Sequence, residues 1–110
     1  MTEACRIGIL LRAPGVVDVG APMRHKALCY EILRDARTVI ERTGDEAFRD
    51  DIKAITIVMD MTGRVDVGAP LPNRWLCYRM LADARGVIER YNDEQAPELR
   101  PFDRVLMGEG

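Results

Sequence analysis

The chain contains no serine and a single histidine, His25, so a serine nucleophile with a histidine base cannot be assembled from it, nor can a multi-histidine metal site. Cysteine is scarce too: Cys5, Cys29 and Cys77 are an odd number, and none stands at metal-ligand spacing from another donor. The acidic start at Met1-Thr2-Glu3 lacks the basic stretch of a secretory leader, so reduced thiols and a cytoplasmic protein are expected. No apolar run approaches the roughly 18 residues needed to cross a bilayer, and no membrane association is expected. Lysine is nearly absent, 2 residues against 14 arginines. The formal charge is −2 with both signs interleaved, unlike the basic surface of a duplex nucleic-acid binder. No catalytic constellation and no cofactor motif survives these exclusions, and a protein that is not an enzyme is expected.

What is present is an ordinary globular composition, 47% apolar and 31% charged, in 110 residues that suffice for one core. GVVDVGAP at Gly15 returns as GRVDVGAP at Gly63, and LCY, DAR and VIER recur at the same offset of 48 residues. Aligning Ile7 through Glu46 with Ile55 through Glu94 gives 22 identities in 40 positions without a gap. The chain is a tandem duplicate.

Each copy opens with alternation: Ile7, Ile9 and Leu11 in one, Ile55, Ile57, Met59 and Met61 in the other, the period of two of a strand. Pro14-Gly15 and Thr62-Gly63 mark turns, and Val17 with Val19, or Val65 with Val67, begin a second strand that Gly-Ala-Pro ends. A helix follows from near Arg24 or Asn73, with Asn73 as N-cap. Leu28, Cys29, Ile32, Leu33, Ala36, Val39 and Ile40 form an apolar stripe that the second copy repeats, and Gly44 and Asn92 stand where left-handed stops would lie. The order ββα-ββα predicts an α+β fold: one four-stranded antiparallel sheet with two helices on one face, related by a pseudo-twofold axis. The expected domain is 1–110, made of repeats at about 5–46 and 53–94 with a tail at 95–110, in which Arg104 to Met107 could add an edge strand.

Cys29 and Cys77 lie on the buried stripe and read as core. Asp18 and Asp66 read as solvated strand positions, and Arg37 with Glu41 as an exposed ion pair four residues apart. Less easily explained is the segment leading into each helix. Gly20-Ala21-Pro22 runs to Arg24, His25 and Lys26, and Gly68-Ala69-Pro70 runs to Arg74, which puts cations beside the positive end of a helix dipole. An anion shared with the helix N–H groups would resolve that conflict. The candidate ligand-binding set is therefore Gly20, Arg24, Lys26, Tyr30, Gly68, Arg74, Trp75 and Tyr78, with no metal ligand.

GxVxVxxP followed by LCYxxLxxA resembles a group of small uncharacterised proteins of phages and prophages that carry one hairpin and one helix. The resemblance covers Gly15 to Glu46 and Gly63 to Glu94, and this chain departs from it in its two copies and in Glu31 and Arg79, where that pattern has glycine. Such proteins are similar in size and genomic habit to inhibitors of bacterial defence systems. What the resemblance and the two helix starts together imply is a binding protein of a phage or mobile element, sequestering a phosphate-bearing cyclic nucleotide. The alternative is a protein-protein inhibitor or assembly module that uses the sheet or helix face, acting on a host protein or as a homo-oligomer.

Overall fold

The computed structural model describes residues 3–91, so the strand expected at Arg104 to Met107 and the stop expected at Asn92 lie outside the described residues. Strands β1 (Glu3–Ala13) and β3 (Ala54–Asp60) turn Ile7, Ile9, Ile55 and Ile57 to one face, where none is more than 2% exposed. Strands β2 (Val16–Gly20) and β4 (Val65–Val67) return through Gly15 and Gly63, whose φ of +78° and +89° is the left-handed region that glycine enters without steric cost. The strands form one antiparallel sheet in the order β2-β1-β3-β4. Across its centre Gly8 faces Thr56. These two residues hold the same position in their copies, so the pseudo-twofold axis passes between them.

The second hairpin differs from the alternation in one respect. Met61 does not continue the inward series but is 71% exposed, because β3 stops at Asp60. The Asp60 carboxylate accepts bonds from the Thr62 hydroxyl at 2.5 Å, the Thr62 amide at 2.9 Å and the Arg64 amide at 3.1 Å, which closes the turn. The bond from the Thr62 hydroxyl does most to hold this carboxyl below its usual range.

Helices α1 (Lys26–Arg42) and α2 (Arg74–Arg90) cover the isoleucine face. Asn73 caps α2 as expected, its side chain accepting from the Leu76 amide at 2.9 Å, whereas His25 makes no side-chain cap at α1. The expected left-handed stop at Gly44 is corrected: Thr43 and Gly44 are both extended, at φ −78° and −69°. Other partners take its place: the Thr43 hydroxyl donates to the Val39 carbonyl at 2.7 Å, and Arg74 of the other copy donates to the carbonyls of Ile40 and Thr43.

The two copies are interleaved. Helix α1 lies over β4 and β3 of the second copy, and α2 lies over β2 and β1 of the first. Cys29, Ile32, Ile40, Cys77, Met80 and Ile88 from the helices are all within 1% of full burial in the shared core. Burial raises the thiols of Cys29 and Cys77 to about 11, and each donates to a backbone carbonyl, of Pro22 and of Pro72. Such thiols stay protonated and pack as small apolar groups. The segment between the copies is tied down as well: Arg49 donates to the Leu71 carbonyl at 2.7 Å and Leu71 to that of Ala47 at 2.8 Å, a short parallel bridge beside a 3-10 turn at Asp45–Ala47.

Candidate functional site

The polar residues repeated on the helices meet one another across the helix pair. Lys26, in the first turn of α1, donates through Nζ to the Glu89 carbonyl in the last turn of α2 at 3.0 Å. Arg74 holds the equivalent place at the start of α2 and donates to the carbonyls of Ile40 at 2.7 Å and Thr43 at 3.0 Å, at the end of α1. Its guanidinium also bonds the Asp45 carboxylate at 2.8 Å and lies over the Phe48 ring at 4.3 Å; the bond to Asp45 is the main reason its pKa is raised. Each helix thus caps the C-terminus of the other. The cation that is unfavourable at its own helix's positive end is favourable at the neighbour's negative end.

This geometry corrects the electrostatic reason for expecting an anion at Lys26 and Arg74. Their charges already face carbonyl oxygens. Because the helices run antiparallel, the two helix N-termini lie at opposite ends of the layer, and 17 residues at 1.5 Å rise put about 25 Å between them. A single ligand with two phosphates does not bridge that span. Replacing Arg74 by Gln should therefore lower the melting temperature, and more than Lys26→Gln does, since Arg74 makes several bonds and Lys26 one. An Arg74→Gln chain as stable as its parent would show that cross-capping contributes nothing.

Tyr30 and Tyr78 belong to the same lattice. The guanidinium of Arg85 lies over the Tyr30 ring at 4.3 Å and that of Arg37 over the Tyr78 ring at 4.5 Å, each reaching from the other helix. Both arginines are also held by the carboxylate four residues on, Glu89 at 3.2 Å and Glu41 at 3.4 Å. The pairing of Arg37 with Glu41 was legible from spacing, but the ring that it covers was not. Phe48 and Asp45, which hold Arg74, were not singled out by sequence reasoning either; the recurrence of Asp45 as Asp93 was the one available signal.

Gly20 and Gly68 do not join this group. By alternation they point to the sheet face away from the helices, where Gly20 faces Gly8, and the Gly68 amide bonds the Thr56 carbonyl at 3.0 Å. Gly20, Gly8 and Thr56 form a row of small residues across three strands, which Gly68 extends just past the end of β4. Beside it is an open depression of about 530 Å³ lined in part by Leu10, Asp18 and Ala54. Asp18 is exposed and paired with Arg12, and Asp66 is also exposed, as expected of solvated strand positions. Arg24 is exposed in the loop ahead of α1.

Trp75 is the large apolar side chain of the candidate set that is left in solvent: the residue is 80% exposed, and its ring lies edge-on to Tyr78 at 6.1 Å and 90°. Among the described residues no group of three or more His, Cys, Asp or Glu side chains is placed to hold a metal ion, and no helix is long and apolar enough to cross a membrane. Compared with protein-family models, with curated proteins and with solved structures, the chain has no significant match.

Proposed function

We propose that this chain is a non-catalytic module that works by occupying another protein, with the helix layer around Trp75 as its contact surface. The observation that carries this reading is the exposure of Trp75 itself. The equivalent position in the first copy is Ala27, which is exposed as well, so the fold does not require a large side chain there. Exposing an indole is unfavourable in water, whereas tryptophan is among the residues that contribute most when buried at an interface. Beside it Tyr78 already carries Arg37 at 4.5 Å over its ring, and side chains placed before binding lower the ordering cost. The resemblance of each repeat to small phage and prophage proteins supports a host protein in the cytoplasm as the target, and counter-defence as the purpose.

The test compares what immobilised parent and Trp75→Ala chains retain from a host lysate, after both are shown to melt at the same temperature. A protein retained by the parent and lost by the variant is the expected result. Equal retention by both would overturn the reading. So would stabilisation by a member of a cyclic-nucleotide panel, which at a hundredfold excess over its dissociation constant would add about 2.7 kcal/mol and restore the nucleotide-sequestering alternative.

A further inference from the structure

The charge of this protein is divided between its layers. Residues 24–42 and 74–90, the two helices with their first flanking cation, carry nine cations against five carboxylates, while residues 3–23 and 43–73 carry five against eight. The helix layer is therefore cationic, and the sheet with its connecting segments is anionic. Within that layer Asp35, Glu41 and Glu89 are already tied to Arg34, Arg37 and Arg85, at 3.7, 3.4 and 3.2 Å. Arg42, Arg79 and Arg90 make no ion pair with the described residues. Arg42 and Arg90 have a local reason to be where they are, the negative end of their own helix. Arg79 has none.

Arg79 lies one turn beyond Trp75 on the same exposed stripe of α2. Its equivalent in the first copy is Glu31, just as that of Trp75 is Ala27. The two copies agree at Tyr30 and Tyr78, at Arg37 and Arg85, and at Glu41 and Glu89, all used to join the helices. They part at neighbouring exposed positions, where the second copy has an indole and a cation and the first has Ala27 and Glu31.

Resting on the reading of the helix layer as a protein-contact surface, we infer that its partner is an acidic protein segment, with an apolar side chain against Trp75 and clustered carboxylates against Arg79. A nucleic acid fits less well. Arginines lie over the rings of Tyr30 and Tyr78, which leaves Trp75 as the one uncovered ring of the two helices where single strands need successive stacking platforms, and five carboxylates interrupt the path of a phosphate chain. A protein segment can set its carboxylates where the unpaired arginines are. Because these charges are exposed, the attraction is screened by salt and acts chiefly on the rate of association.

Trp75 is the sole tryptophan, so its fluorescence reports the site directly. The whole chain is titrated with a peptide of glutamates interrupted by leucines, with the same peptide carrying lysine for glutamate, and with an oligothymidylate. The glutamate peptide should shift the emission saturably, should bind about tenfold less tightly to Arg79→Glu, a loss typical of an interface arginine, and should recover with Arg79→Lys. Rising salt should weaken it. Arg79→Glu places in α2 the residue that α1 already carries, and an unchanged melting temperature checks its fold. An equal response to the lysine peptide, tighter binding of the oligothymidylate, or no saturable response to the glutamate peptide would each overturn the acidic partner. A lysate protein that depends on Trp75 but is retained equally by Arg79→Glu would likewise discard the acidic partner while leaving the protein-binding module in place.

Discussion

A chain cut after Glu46 should be unfolded as a monomer, or should pair with a second copy of itself. In the intact protein the apolar stripe of α1 is covered by β3 and β4, and the inner edge of β1 is paired with β3, none of which the fragment contains. A unit of about 45 residues buries too little surface by itself to offset the entropy of folding. Two fragments could restore the sheet by pairing β1 with β1 about Gly8, replacing the pseudo-twofold axis with a true one. Circular dichroism over a concentration series, with sedimentation, distinguishes the outcomes. A folded monomeric fragment would refute the interleaved core.

The second large effect is expected at Ile57. Its side chain is fully buried, pairs with Ile7 on β1 and Val67 on β4, and belongs to the core shared by the sheet and the helices. Ile57→Ala removes methylene groups where interleaved elements cannot collapse to fill the space, at a cost of about 2 to 5 kcal/mol. Domains of this kind have a total stability of roughly 5 to 15 kcal/mol, so the variant should lie near the edge of folding. Met61→Ala, in the exposed turn of the same hairpin, should stay within about 0.5 kcal/mol of the parent. Denaturant midpoints at unchanged slope measure both. Equal midpoints for the two variants would mean that the sheet centre is not the core.

The contrast between these two residues shows where sequence reading stops. Alternation from Ile55 onward places Met61 inward, and it would be inward if β3 continued. What ends the strand is the Asp60 carboxylate gathering the Thr62 and Arg64 amides, a local competition that periodicity does not register. Gly44 failed as a helix stop for a related reason. The carbonyls that a left-handed turn would satisfy are satisfied by Thr43 and by Arg74, and the second of these comes from 31 residues away.

Lys26 and Arg74 carry the same lesson into the candidate site. Read locally, a cation in the first turn of a helix opposes the dipole and invites an anion. Read in the fold, each lies against the end of an antiparallel neighbour and is one of its caps. Tyr30 and Tyr78 stand in the candidate ligand-binding set, and in the fold their rings lie under Arg85 and Arg37. Trp75 alone among the aromatic candidates keeps a free face.

By itself the sequence determined the duplication, the order of strands and helices, the buried stripe on each helix, the Asn73 cap and the antiparallel sheet, because all of these follow from periodicity and from contacts a few residues apart. Tertiary structure alone decided that each helix covers the other copy's hairpin, that Gly8 and Thr56 flank the axis, and that the cations leading each helix cap its neighbour. Those outcomes depend on contacts between residues about a repeat apart, and two identical patterns pair equally well within a copy or across copies until the whole core is assembled.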